Sequence, residues 1–448
     1  MRQQYPQRLA AELWRSAGRR PGRVQGDEAV ARTTFGESIG RSRPLFLVLI
    51  LAGCLVASVA AVSFQAPELL GKPKVLTDFD AFHIAGRLAL EGRVSEAYHA
   101  VSMVAAQEEM TGTVSFMPWT YPPPFTLAME GLATLPIGVA FLLFATASCA
   151  FYLWVLRRIA GPWLPGTAAA VAPAIILNLG TGQNGFLIAG LIGAFLLAFR
   201  DNRRLAGLPL GLLIIKPHLA VAVGLLVLMR RRWSVAVIAG AVATALLAIS
   251  TAVYGLSIWS DFRDAVGEAG RYLAAGYYPL FRMNSVYAAA HSLGAAPAAA
   301  MALQAVSAIV SLGILALACV KGVAFNRLAA LACAASVCVS PYGYDYDLTV
   351  LGVGIAFIFP EIVERSGNRQ FLAWFALTWL ACGYGMAWAI AASDVSSSVE
   401  LGEGTAGISF IAPLLWLLFW LTYRILARPQ ADEAAGSEPA RPSLRAAK

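Results

Sequence analysis

Two carboxylates, an imidazole and a guanidinium fall within the stretch Thr77-Asp78-Phe79-Asp80-Ala81-Phe82-His83-Ile84-Ala85-Gly86-Arg87. In a chain with only 13% charged residues, such a concentration is where proton chemistry can sit. A carboxylate there can take the proton of an attacking hydroxyl, and a nearby cation can hold an anion. From Ala81 to about Glu91 the pattern reads as a helix, on which Asp80, His83 and Arg87 share one face by their spacing. Asp78 lies just ahead of it, near the N-cap. On this stretch alone, a capped solvated helix and a catalytic loop are both open readings.

Three further polar motifs interrupt pairs of short apolar segments: Gly180-Thr181-Gly182-Gln183-Asn184-Gly185, Lys216-Pro217-His218, and Pro341-Tyr342-Gly343-Tyr344-Asp345-Tyr346-Asp347. Apolar segments of about 11 to 16 residues rise only ~17 to 24 Å, short of a bilayer core of ~30 Å, so the polar turns are expected below the membrane surface, in a cavity. Lys216 is either a lysine snorkelling along a span or a cation for a bound phosphate, and its place between two short halves favours the second. The Lys216 region is either two half-spans or one kinked span. His218 adjoins it as a second candidate. Gln183 and Asn184 bind sugar hydroxyls or cap a short helix. Asp345 and Asp347 accept hydroxyls or partner a cation, with Tyr344 and Tyr121 beside them. The segment Tyr277 to Ser285 adds a cation, Arg282, and an amide, Asn284. His83 and His99 read as surface-helix residues without chemistry, and Glu130, inside an apolar run, has no assigned partner.

The elements that must position these residues follow from composition. With 58% hydrophobic residues and repeated apolar runs near span length, the chain reads as an all-α polytopic membrane protein. Residues 1–44 form an arginine-rich cytoplasmic tail by the positive-inside rule. Residues 45–427 are the integral domain, with long outer loops at 65–121 and 256–296 that carry surface helices, and 428–448 is a disordered cytoplasmic tail. The first apolar run, about 45–64, reads as an uncleaved anchor. Basic clusters at Arg157-Arg158, Arg200, Arg203-Arg204, Arg230 to Arg232, and Lys321 with Arg327 mark the opposite ends of the broken pairs. The polar turns then open on the same side as Asp78. Two full crossings between 122 and 156 would strand Arg157 on the wrong side, so that region makes one net crossing or the charge rule fails there.

In the second loop, Ile258, Trp259, Phe262, Val266 and Leu273 form an apolar stripe opposite Asp261, Arg263, Asp264, Glu268 and Arg271, the pattern of a helix lying in the interface. The six cysteines fall in apolar runs and read as packing residues, with neither disulfide nor metal spacing. The net charge of +8 comes largely from the tail and short loops, which points to membrane orientation and not to nucleic acid.

Asp78-Phe79-Asp80-Ala81-Phe82, Glu91-Gly92, Tyr121-Pro122-Pro123, Gly182-Gln183-Asn184, Lys216-Pro217 and Ser340-Pro341, in this order, resemble glycosyltransferase family 87. This is a family of mannosyltransferase-like membrane enzymes of the GT-C class. The resemblance implies a GT-C bundle of about 10 to 12 transmembrane helices in the bacterial inner membrane, with two periplasmic loops. It also implies transfer of a hexose, mannose-like, from a polyprenyl-phosphate donor to a lipid or glycan hydroxyl on the periplasmic face. No nucleotide or other cofactor is expected and no metal ligands are assigned. The family's catalytic aspartate falls on Asp78. The chain departs from the mycobacterial branch at Tyr346-Asp347, where that branch has a His pair, and at Met283-Asn284-Ser285. The residues agree with that class: Asp78 as base, with Lys216, His218, Arg282 and Arg87 as phosphate candidates, and Asp80, Tyr121, Gln183, Asn184, Asn284, Tyr344, Asp345 and Asp347 as supporting or acceptor-binding residues.

Other classes share some of these features. A transporter or flippase for a lipid-linked sugar would also place ionisable residues in broken helices, but the sequence has no internal repeat and two long amphipathic loops. An oligosaccharide ligase or polymerase uses the same donors, and a purely structural subunit would leave the polar turns unexplained.

Overall fold

The computed structural model describes residues 34–71, 74–113, 115–392 and 407–428, and helices dominate throughout. The described residues from Phe35 onward belong to one unit. Among the described residues, β-pairing is confined to a single bridge between Met283 and Tyr344. Among the described residues, six helices are long and apolar enough to cross a membrane: Arg43–Gln65, Ile137–Ala170, Trp233–Tyr254, Pro297–Val320, Asp345–Arg365 and Asn368–Ala391. Shorter apolar helices include Ala172–Thr181, Gly185–Arg200, Phe325–Val339 and Ile411–Leu426.

Their burial divides them into two kinds. Helix α1 (Phe35–Gly40) leads into α2 (Arg43–Gln65), whose first turn is capped by the Ser42 hydroxyl accepting from the Leu45 amide at 3.2 Å. Leu47, Val48, Leu51 and Leu55 of α2 stay exposed, as do Val237 and Val253 on Trp233–Tyr254 and Ile309 and Leu317 on Pro297–Val320. Such apolar faces are suited to lipid. By contrast, Asp345–Arg365 is buried over nearly its whole length and forms the centre around which the others pack.

The expected basic tail, 1–44, falls mostly on residues that are not described. Residues 1–33 lie outside the described residues, but α1 packs on the bundle, with Gly40 so close to Trp163 that a Cβ would lie 2.5 Å from its ring. Arg41 stacks on the same ring at 4.4 Å. The tail beyond Arg428 lies outside the described residues.

The first long loop contains α3 (Asp78–Leu90), α4 (Val94–Ala97) and α5 (Ala100–Thr111), and it leads into α6 (Pro123–Leu132). Prolines at the start of α6 leave no amide unsatisfied there. At ten residues α6 rises only ~15 Å, so it cannot span. In this region only Ile137–Ala170, which begins with α7 (Ile137–Ala160), is long and apolar enough to cross, which fits one net crossing with Arg157 and Arg158 in the last turn of α7.

A second core sits under this loop. Phe79, Phe82, Ala85 and Leu88 of α3 pack with Tyr98, Trp119, Phe125 and Phe141, and with Ile258 and Ala265 from the second loop. The helix of that second loop spans Ile258–Ala274. Its stripe differs from the expected interfacial one: Ile258, Ala265, Ala269 and Leu273 are buried against protein, and Phe262 meets Tyr98 edge-on at 6.1 Å. Only Val266 among the stripe residues is left widely exposed, at 49%. The Ala100 amide donates to Glu268 at 3.0 Å, so the two loops are tied to each other. Packing on a protein neighbour removes apolar surface that the sequence alone assigns to lipid.

Gly86 sets how closely α3 approaches α6. A Cβ there would run into the Met129 carbonyl oxygen, and backbone cannot step aside as a side chain can. Gly86→Val is therefore expected to lower stability by about 1–3 kcal/mol through forced separation of α3 and α6. Thermal unfolding of the purified protein checks this, and an unchanged midpoint would contradict the close packing.

Candidate active site

The start of α3 separates the two aspartates. The helix begins at Asp78, three residues before the expected start at Ala81, because Thr77 is extended and forms a capping box with Asp80. The Thr77 amide donates to Asp80 Oδ2 at 2.9 Å, and Lys74 Nζ reaches Asp80 Oδ1 at 2.6 Å. Asp80 is 1% exposed and its oxygens are spent on these bonds. Burial pushes its carboxyl above the usual range, with Lys74 and Thr77 opposing. Being two helical positions apart, Asp78 and Asp80 point about 200° from one another, so they do not share a side as extended alternation would require. Asp78 keeps 23% of its side chain exposed and lies 3.8 Å from Arg282.

The rest of the stretch bonds elsewhere. Arg87 is not brought to Arg282 or Lys216: its side chain is 49% exposed and pairs with Glu91 at 3.3 Å, one turn along the helix. His83 Nε2 lies 3.0 Å from the Leu135 carbonyl oxygen, and burial holds the imidazole below its usual pKa. A neutral ring donating its N–H to that carbonyl explains both. Glu130 does have a partner, accepting from the Tyr254 hydroxyl at 2.6 Å, away from the site.

Arg282 comes from the 3-10 turn Leu280–Arg282, and Asp345 from the turn Asp345–Leu348 that precedes α18 (Thr349–Arg365). The guanidinium lies side-on to Asp345, with Nε 3.3 Å and Nη2 3.2 Å from its oxygens. Arg282 stands 6.0 Å from the rings of both Tyr344 and Tyr346, which stack at 5.3 Å with 7° between their planes. Burial works against the guanidinium's charge, but Asp345 and Asp78 more than offset it and hold its pKa above the usual value. Nη1 makes none of these contacts, and it is Nη2 that approaches Asp78, at 3.8 Å.

Two residues further along the same turn, Asp347 takes the other cation. Lys216 Nζ lies 2.5 Å from Asp347 Oδ1 and 3.4 Å from Asn184 Oδ1, over the Tyr346 ring at 4.8 Å. Lys216 sits between the 3-10 turns Leu213–Ile215 and Pro217–Ala220, with φ −148 and ψ 68, so this region is a broken pair and not one smoothly kinked span. Both partners are sealed, with side chains 6% and 0% exposed. His218 makes no polar contact with the cluster, and its Nε2 is buried without a partner among the described residues.

The remaining candidates frame these pairs. Tyr121 donates its hydroxyl to Gln183 Oε1 at 3.2 Å, and the Asn184 amide donates to the same oxygen at 3.1 Å, ahead of α10 (Gly185–Arg200). Gln183 thus tethers Tyr121 and the N-cap residue Asn184. Asn284 exchanges backbone and side-chain bonds with Gly343 and Tyr344, at 2.9 and 3.1 Å, joining the second loop to the turn. Asn184 Nδ2 and Asn284 Oδ1 are buried and have no partner among the described residues. Buried polar atoms are normally bonded, so a free donor and acceptor here fit a hydroxyl-rich ligand.

Glycine makes the close approach possible. Gly182 ends α9 (Ala172–Thr181) in the left-handed region, at φ +68, with its Cα facing Phe79; a Cβ would lie 2.6 Å from Phe79 Cβ. A Cβ on Gly385 would collide with the Asp345 carboxylate.

Sequence reasoning missed Lys74, Tyr346, Asn178 and Gly385. Asn178 donates to the Tyr346 carbonyl at 2.9 Å, fixing the turn against α9. Only Tyr346 left a signal, the alternation of Tyr and Asp over 344–347.

The sealed pair changes what removal of Lys216 should do. Lys216→Met strands Asp347 as a lone buried charge, expected to cost about 3–5 kcal/mol of stability. Lys216→Met combined with Asp347→Leu should recover most of it. Thermal melts of the single and double variants decide this; a stable single variant would mean that Lys216 is not the counter-ion of Asp347.

Comparison with known proteins follows the same residues. No curated protein and no solved structure matches the chain. The family model for glycosyltransferase family 87 matches residues 119–341, a stretch that contains Tyr121, Gln183, Asn184, Lys216, Arg282 and Asn284 but not Asp78 or Asp345. The chain thus carries a glycosyltransferase family 87 domain over residues 119–341, which together with its apolar helices indicates a membrane glycosyltransferase.

Proposed function

We propose that the protein transfers a hexose, mannose-like, from a polyprenyl-phosphate donor to the hydroxyl of a lipid or glycan acceptor, with inversion, at the edge where Asp78 faces Arg282. The observation that carries this reading is the 3.8 Å approach of a half-open carboxylate to a guanidinium that already has Asp345 as its counter-ion. In the step, Asp78 takes the acceptor hydroxyl proton as the acceptor oxygen bonds to the sugar's anomeric carbon. The bond from that carbon to the phosphate oxygen breaks, and its electron pair leaves with polyprenyl phosphate. Arg282 binds the phosphate through its free edge and stabilises the growing charge. Asn184 and Asn284 hold sugar or acceptor hydroxyls through their unpartnered atoms. Lys216 keeps the turn bearing Asp345 and Asp347 in place from within the bundle.

No cofactor enters this scheme. The placement of the basic ends of the helices favours a bacterial inner-membrane protein whose site faces the periplasm. A transporter shares the broken helix at Lys216, but its ionisable groups would need to exchange partners during transport. The sealed Lys216–Asp347 pair favours a fixed scaffold.

Asp78→Asn keeps shape and cannot accept the proton, so transfer should fall at least about a hundredfold with donor binding retained. Asp80→Asn should cost little turnover and lower the melting temperature. Loss of transfer in a well-folded Asp80→Asn protein, with Asp78→Asn active, would overturn the assignment of the base.

A further inference from the structure

At the other end of the bundle lies a cavity of about 390 Å³, between α16 (Pro297–Val320), α17 (Phe325–Val339), α18 and α20 (Ile411–Leu426). It runs along α17 from Arg327 at the mouth to Cys338 at the inner end, a rise of ~17 Å. Leu317, Leu331, Leu351, Ile355 and Phe419 are among its walls, so it suits an apolar chain and not water.

The mouth is basic. Lys321 caps α16 and has no ion-pair partner among the described residues. Arg327 pairs with Glu361 at 2.9 Å, but Arg365 shares the same carboxylate at 3.9 Å. Positive charge thus exceeds what Glu361 can neutralise.

We propose that this cavity takes one acyl chain of an anionic bilayer phospholipid, with the headgroup phosphate against Lys321 and Arg327. The sugar donor does not fit the same place. Its phosphate is assigned to Arg282, beside the far end of α17, and the helix's 15 residues separate the two ends by ~22 Å. A free phosphate would leave the apolar cavity unused. The lipid site stands on its own geometry and does not depend on which sugar is transferred.

The test uses the full chain in nanodiscs of phosphatidylcholine that carry a trace of diazirine-tailed phosphatidylglycerol or, separately, diazirine-tailed phosphatidylcholine. After photolysis, labelled peptides are mapped. The anionic probe should label α17 and α20 at least about fivefold more than the zwitterionic one, the scale of one basic side chain near a headgroup. Lys321→Glu should reduce the anionic labelling to the zwitterionic level, and Ala334→Trp, which fills the cavity, should suppress both. Equal labelling by the two probes in the wild type, or anionic labelling unaffected by Lys321→Glu, would overturn the proposal. Lys321 lies at an exposed helix end, so that variant carries the test even where Ala334→Trp does not fold.

Discussion

Lys216, sealed inside the apolar bundle, and Arg282, part-buried at its edge, each meet a carboxylate, and both do so on one turn. Asp345 holds Arg282 and Asp347 holds Lys216, with the stacked rings of Tyr344 and Tyr346 between them. An unpaired charge at either position would carry a desolvation penalty of several kcal/mol, so the turn, the second loop and the broken helix at Lys216 are bound to one arrangement. Asp78 is the exception. It lies at the open edge of this network, 3.8 Å from a guanidinium that already has Asp345 as its counter-ion, and it is the carboxylate to which we assign the proton transfer.

The packing around the turn serves the same constraint. Gly185, Gly343 and Gly385 each bring backbone against the turn or the residues that hold it, where a side chain would intrude. Asn178 and Asn284 bond the carbonyls of Tyr346 and Tyr344, so the backbone between the two acids is held from both sides. Rigidity of this kind suits a site that acts by holding charges in place, since dipoles already oriented need no rearrangement when charge develops.

Much of this was legible in the sequence, and the limits have physical reasons. Apolar runs gave the long helices, and the short runs beside Gly182, Lys216 and Pro341 marked where polar groups enter the bundle. The capping role of Asp80 could be read from Thr77 three residues earlier, although the helix began sooner than the apolar pattern indicated. The partnerships were not legible. Lys216 and Asp347 are 131 positions apart, and Arg282 and Asp345 are 63 apart, so only the fold decides which cation meets which acid. Arg87 looked equivalent to Arg282 by residue type, yet helical geometry hands it to Glu91. The amphipathic stripe of Ile258–Ala274 could not reveal whether lipid or protein would cover it, because both are apolar.

Chemistry at the Asp78 edge and carriage of an intact lipid-linked sugar are most directly separated by following the sugar itself. Purified protein in sealed vesicles is given polyprenyl-phosphate sugar labelled in the sugar ring, together with a membrane acceptor fraction. We expect the label to leave polyprenyl phosphate and appear in a covalent product with the opposite anomeric configuration. Label that stays on polyprenyl phosphate and only changes leaflet would contradict the account.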